Sequence, residues 1–61
     1  MLSENLKRIR KEKGYTKVQL GKKAKVHSNT IKNIENGKGT TYAILEKLAI
    51  ALEVTIGDLT K

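Results

Sequence analysis

Two helical patterns meet between residues 16 and 38, where the chain reads TKVQLGKKAKVHSNTIKNIENGK. Thr16 followed by Gln19 fits a capping box, in which each residue satisfies a free amide group at the start of a helix. The apolar spacing that follows predicts one helix over residues 17–25 and another over residues 28–36. The connection between them is too short for the two helices to lie side by side as an antiparallel hairpin. We therefore predict that they cross steeply.

The remaining segments also show helical spacing. Ser3 is a candidate N-cap for the first helix, and Gly14 and Gly37 are candidate helix stops because glycine readily adopts the left-handed conformation. No segment alternates in the pattern of a strand for long enough to matter. Sixty-one residues allow one domain, so we predict a single all-α domain over residues 1–61, a compact bundle of five short helices. These helices are expected at residues 3–13, 17–25, 28–36, 42–52 and 56–60.

The helix predicted at residues 28–36 has a distinctive polar face. On a helical wheel, Ile31 and Ile34 lie on one side, and the opposite arc of about 140° carries only polar side chains. Side chains of this kind reach base edges in the major groove, where Asn pairs with adenine and Lys with guanine. A face that is merely solvated is usually richer in Glu and Lys. We therefore predict base readout by this arc, which consists of Ser28, Asn29, Lys32, Asn33 and Asn36.

The formal charge of +7 is unevenly distributed along the chain. Residues 1–38 contain eleven of the thirteen Lys and Arg against three Glu, a net charge of +8, whereas residues 39–61 have a net charge of −1. A one-sided cationic field attracts polyanions such as nucleic acid or anionic lipid. A lysine-rich face kept for solubility is the alternative. Membrane binding is disfavoured because the apolar stripes are spread over five short helices, with Tyr15 and Tyr42 as the only aromatic anchors.

The composition argues against catalysis and metal binding. The chain has no cysteine and one histidine, so it contains no set of Cys and His ligands for a metal. Glu35 and Glu46 are separated by a helix break and predict no common cleft for acid–base chemistry. His27 is expected to cap the third helix or to contact a phosphate. We therefore expect no enzymatic activity, no catalytic residues, no metal, no cofactor and no small-molecule substrate.

The distribution of apolar residues predicts a location in the cytoplasm, on the nucleoid. Polar residues follow Met1 and Leu2 at once, which is unlike a signal peptide. No apolar run approaches the length of about 20 residues that a membrane span requires.

Several short motifs follow one another along the chain: TKVQLG at 16–21, Val26, Thr30 and Ile31, IENGK at 34–38, LEKLAIAL at 45–52 and Val54. Together they resemble the helix-turn-helix domain of the Cro and lambda-repressor type, over residues 6–59. This resemblance implies a lambda-repressor-like fold that binds specific double-stranded DNA. It further implies a transcriptional regulator, and a repressor that occupies a palindromic operator with its third helix in the major groove.

The same resemblance assigns roles to individual residues. In this family the start of the third helix reads bases, which implies Ser28, Asn29 and Asn33, with Lys32 as a fourth candidate. The phosphate backbone is held by the first residue of the second helix and by residues just after the third. These positions are Lys17, Asn36 and Lys38, and His27 is a further candidate.

The chain also departs from the family pattern near two helix ends. Lys25 stands where the turn usually has glycine, which predicts that the turn differs locally, because a left-handed lysine costs about 1 kcal/mol. Glu53 likewise replaces a glycine, and the segment after Gly37 lacks a proline often seen there.

Apolar residues outside the predicted core suggest a subunit interface. Val18, Ile44 and Ile50 lie where the helical stripes leave them partly exposed. The family resemblance places the dimer contact in the C-terminal part, which implies Ile44, Ile50, Ile56 and Leu59, with burial in the core as the alternative for each. A two-fold dimer would set its third helices about 34 Å apart and predicts half-sites about 10 base pairs apart.

A different class of function also fits these features. The chain could be a protein-interaction module, such as an antitoxin or an anti-repressor partner, that uses the same fold mainly to hold another protein. The surface at Ile44 and Ile50 would then be its binding site.

Overall fold

A computed structural model describes residues 1–61 and consists of five helices joined by short connections, so the all-α prediction is confirmed. None of these helices is both long enough and apolar enough to cross a lipid bilayer. The helices are α1 (Leu2–Glu12), α2 (Lys17–Ala24), α3 (Ser28–Glu35), α4 (Tyr42–Leu52) and α5 (Ile56–Thr60).

The capping box predicted at the start of α2 forms, and a second capping box forms at the start of α5. The Gln19 N–H donates to Thr16 Oγ1 at 3.0 Å, and the Thr16 N–H donates back to Gln19 Oε1 at 2.9 Å. Thr55 and Asp58 make the equivalent pair of bonds, both at 3.0 Å. The Thr55 N–H bond to the carboxylate also holds the pKa of Asp58 below its ordinary value. Both starts are thus fixed by local sequence alone.

The start of α1 differs from the prediction that Ser3 is its N-cap. Ser3 lies within the first turn, and the N-cap is Met1, which makes no side-chain cap. Contacts with α5 hold this end instead: the Met1 ammonium donates to the Lys61 carbonyl at 3.1 Å, and Asn5 Nδ2 donates to the Leu59 carbonyl at 3.0 Å. Long-range contacts therefore override the local capping preference of Ser3.

The hydrophobic core draws on all five helices. α1 packs on α3 and α5, α2 packs on α3 and α4, and α4 packs on α5. The apolar stripes deduced from helical spacing therefore converge on one interior. Its fully buried side chains are Leu6, Leu20, Ile31, Ile34, Leu48, Leu52 and Leu59.

Four residues adopt the left-handed conformation at or just after helix ends. Gly14 and Gly37 have φ of +81° and +98°, as expected for glycine stops. Lys25 and Glu53 both have φ of 59° and ψ of 42° and are the C-caps of α2 and α4. The prediction that Lys25 would change the turn locally is therefore wrong. The turn keeps its left-handed geometry and carries a strain of about 1 kcal/mol.

Candidate nucleic-acid interface

The third helix divides sharply into a buried and an exposed face. Ile31 and Ile34 are fully buried in the core. On the other side Asn29, Lys32 and Asn33 are exposed, as is the C-cap Asn36, and Ser28 is half-buried. The structure thus brings the predicted polar arc together on one accessible surface, which we call the α3 outer face (Ser28, Asn29, Lys32, Asn33 and Asn36).

His27 fixes the start of α3. Its Nδ1 accepts a hydrogen bond from the Asn29 N–H at 3.1 Å, and its extended backbone, with φ of −61° and ψ of 138°, is that of an N-cap. Because Nδ1 is an acceptor here, the proton of the neutral ring lies on Nε2, which remains available as a donor. The capping role considered for His27 is therefore present in the structure.

The turn before α3 packs directly against α2 at Gly21. The sequence alone did not predict this close contact. A Cβ atom added to Gly21 would lie 2.6 Å from the Val26 carbonyl oxygen and 3.6 Å from Ile31 Cδ1. The Val26 N–H donates to the Gly21 carbonyl at 2.9 Å, so the backbone of the turn is in direct contact with the backbone of α2. Only glycine permits so close an approach. Gly21 therefore lets the turn and the start of α3 pack directly against α2.

A buried ion pair ties the end of α3 to α1. Arg10 Nε donates to Glu35 Oε2 at 2.7 Å and Arg10 Nη2 donates to Oε1 at 3.1 Å, while Nη1 donates to the Tyr15 carbonyl at 2.8 Å. The two side chains are only 8% and 3% exposed. A bidentate pair of this kind has defined geometry. It sets the position of α3 relative to α1 and the loop that follows α1.

Arg10 is a buried charged residue whose burial was not predicted above. Arg10 follows Leu6 by four residues and therefore shares the buried stripe of α1. A charged residue at such a position needs a buried partner, and this was the available signal. Glu35, which had been considered only as a possible acid–base group, is that partner.

The candidate phosphate contacts lie at the start of α2 and just beyond the end of α3. Lys17 is the first residue of α2 and is half-buried, whereas Lys38 is exposed just beyond Gly37. The Lys38 N–H donates to the Asn33 carbonyl at 3.0 Å, which holds this segment against the end of α3. The first two amides of α2 make no hydrogen bond within the chain and add a favourable dipole for an anion.

Comparison with known proteins identifies the family to which this sequence belongs. A family model described as helix-turn-helix matches residues 6–59. This chain belongs to the helix-turn-helix family of the Cro and lambda-repressor type. Two curated relatives from Bacillus subtilis (strain 168) and Bacillus licheniformis, both named HTH-type transcriptional regulator SinR, are 36% identical to it over 61 residues. The alignments include 97% of this chain and 55% of each relative, so the chain spans about half their length. No solved structure matches it.

The apolar residues considered for dimerisation in this helix-turn-helix chain differ greatly in exposure. Leu59 is fully buried in the core, so its assignment to a dimer interface is wrong. Its position on the inward side of α5 is the physical reason. Ile44 and Ile56 are partly buried against the core, whereas 72% of Ile50 is exposed. Val18, which had no assigned role, is also exposed.

Proposed function

We propose that this chain binds specific double-stranded DNA as a transcriptional regulator, and that it is a repressor. The observation that carries the proposal is the division of α3 into a fully buried isoleucine face and an exposed face rich in amides. Such a helix, capped at its start and tied to α1 at its end, is a rigid projection of the width that the major groove admits.

Base readout is assigned to four residues on the α3 outer face. Asn29 and Asn33 can each donate to and accept from adenine, and Lys32 can donate to guanine. Ser28, at the start of the helix, can donate or accept. Each such contact discriminates against a wrong base by about 1–3 kcal/mol when it is bidentate.

Contact with the sugar-phosphate backbone is assigned to residues beside that face. Lys17 and Lys38 supply charge and reach, Asn36 supplies an amide, and His27 supplies its Nε2 donor. Such contacts set the register of the protein on the duplex and carry no sequence information. The amides at the start of α2 support the assignment of Lys17, because a helix N-terminus favours a phosphate.

The chain is proposed to act as a homodimer on a palindromic operator. Two copies related by a two-fold axis would place their α3 helices about 34 Å apart, one turn of the duplex. Ile44 and Ile56 are the candidate contacts at the C-terminal side, because Leu59 is buried in the core and Ile50 shares its groove with three lysines, which would repel those of a second copy. The proposed activity is binding without catalysis, at the nucleoid in the cytoplasm. A dimer that occupies an operator would obstruct polymerase.

Selection of bound duplexes from a random pool tests the proposal. We expect one enriched sequence with two inverted half-sites whose centres are about 10 base pairs apart. Affinity should fall steeply as salt rises, with a slope near −0.9 per neutralised phosphate. Recovery of no enriched sequence, or an affinity that ignores salt, would contradict the proposal.

A further inference from the structure

A second surface of the molecule lies between the C-terminal end of α2 and the outward side of α4. It is an open groove of about 250 Å³. We call it the α2–α4 groove, and its lining residues are Lys23, Ala24, Lys25, Lys47, Ile50 and Ala51.

The groove contains an apolar surface that the fold leaves uncovered. Ala24 and Ala51 are buried and form its floor, whereas 72% of Ile50 is exposed. The other lining residues are lysines. A large aliphatic side chain next to an alanine floor is a site where a partner's apolar side chain can be buried.

Lysines surround this apolar surface. Lys25 and Lys47 take part in no ion pair or side-chain hydrogen bond. Lys23 donates to the Tyr15 hydroxyl at 2.6 Å, and this hydrogen bond raises the pKa of Lys23 above its ordinary value. Glu53 lies near enough to attract Lys23. Three lysines thus line the groove, and two of them, Lys25 and Lys47, have no acidic partner.

We propose that the α2–α4 groove binds an acidic amphipathic helix of a partner protein. An apolar side chain of that helix packs on Ile50 and the alanine floor, and its carboxylates pair with Lys25 and Lys47. Charge complementarity selects the acidic partner, and the apolar floor requires the amphipathic pattern. This inference goes beyond DNA binding and does not depend on it.

The same features disfavour two other occupants. A second copy of the chain in a two-fold contact would bring two identical sets of three lysines together, and like charges repel. A duplex backbone offers phosphates to the lysines, but it has no apolar group to cover Ile50. Lys17, the phosphate candidate, lies at the opposite end of α2, about 12 Å along the helix.

The test uses a synthetic helical peptide of about 16 residues with Leu at i, i+4 and i+7 and Glu at most other positions. A scrambled peptide of identical composition is the control. Titration into ¹⁵N-labelled protein, followed by amide chemical shifts, locates the site. We expect saturable shifts at the groove residues for the first peptide and none for the scrambled one. No saturable binding, or equal binding of both peptides, would overturn the proposal.

Two variants assign the binding to its apolar and charged parts. Lys47→Glu and Ile50→Asn should each weaken peptide binding by about tenfold or more, whereas Lys7→Glu, the same charge change on exposed α1, should alter it less than about threefold. All three positions are exposed, and thermal unfolding verifies that each variant is folded. An equal loss in Lys7→Glu and Lys47→Glu would show non-specific attraction and overturn the proposal.

The same variants distinguish the other occupants. Lys47→Glu should leave duplex affinity less impaired than Lys17→Glu, and Ile50→Asn should leave the sedimentation coefficient of the free protein unchanged. If Lys47→Glu impairs duplex binding as much as Lys17→Glu, the groove belongs to the DNA surface. If Ile50→Asn dissociates a dimer, its occupant is a second copy. Either result overturns the inference without deciding whether α3 reads DNA.

Discussion

α3 and α4 pack against the same core, but they present different chemistry to solvent. α3 exposes two asparagines and a lysine, whereas α4 exposes a mixed set of residues: Tyr42, Ala43, Glu46, Lys47 and Ile50. The hydrophobic spacing explains why both helices pack inward, so it cannot tell their roles apart. The outward side chains make that distinction, and our proposal that α3, and not α4, reads bases rests on them.

The two helices also differ in how they are held. α3 is joined to α1 by the buried pair between Arg10 and Glu35, while the residues of α4 take part in no ion pair. The close approach at Gly21 further fixes α3 against α2. A helix that must meet base edges at defined positions benefits from such restraints.

Removal of one partner of the buried pair should have the largest effect. Arg10→Met leaves the Glu35 carboxylate buried and unpaired, which costs about 3–5 kcal/mol and is enough to unfold much of a domain this small. Urea denaturation measures the loss. Glu46→Gln, on the exposed face of α4, is the control and should change stability by less than about 0.5 kcal/mol. A loss below about 1 kcal/mol in Arg10→Met would show that α3 is not anchored in this way.

A methyl group at Gly21 should disrupt the contact between α2 and α3. Gly21→Ala places a Cβ 2.6 Å from the Val26 carbonyl oxygen, and the backbone must shift at a cost of about 1–3 kcal/mol. Gly39, in the connection between α3 and α4, has nothing within 4 Å of an added Cβ. Gly39→Ala should therefore be neutral or slightly stabilising. Equal unfolding free energies for the two variants would contradict the close packing of the turn.

The N-caps of α3 and α4 offer a matched comparison. His27 Nδ1 accepts from the Asn29 N–H at 3.1 Å, and Thr41 Oγ1 accepts from the Ile44 N–H at 3.3 Å. His27→Ala and Thr41→Ala should each cost about 1 kcal/mol in unfolding free energy. In addition, His27→Ala should increase amide hydrogen exchange in the first turn of α3 and leave that of α4 unchanged. No difference in exchange between the two helices would argue against His27 as the cap.

The left-handed C-caps should give the smallest effect, in the opposite direction. Lys25→Gly and Glu53→Gly relieve backbone strain at residues whose φ and ψ are the same in both turns. After the greater chain entropy of glycine is subtracted, each should stabilise the protein by about 0.5–1 kcal/mol. Thermal unfolding at one protein concentration measures the gain. Destabilisation by either substitution would mean that the lysine or glutamate side chain makes a stabilising contact.

Local sequence signals predicted much of this structure correctly. The start of α2 followed from a capping box between two residues three positions apart. The fold class and the burial of Ile31 and Ile34 followed from helical spacing. These features depend on interactions within one or two turns of helix, which a single sequence displays directly.

The features that escaped prediction depend on residues far apart in the sequence. The partner of Arg10 is 25 positions away, and the atom that excludes a side chain at Gly21 belongs to a turn that packs back onto α2. The start of α1 is set by contacts with the opposite end of the chain. Leu59 could be core or interface from its spacing alone, and only the assembled helices show that it is buried.

The ratio of affinities for the selected duplex and for a random duplex tests the central claim most directly. Asn33→Ala should lower this ratio, and the corresponding difference in binding free energy should fall by about 1–3 kcal/mol. The preference at one base pair in each half-site should relax. Lys38→Ala should weaken both duplexes alike and leave the ratio unchanged. If Asn33→Ala leaves the ratio unchanged, whether or not both affinities fall, the result would contradict base reading by the α3 outer face.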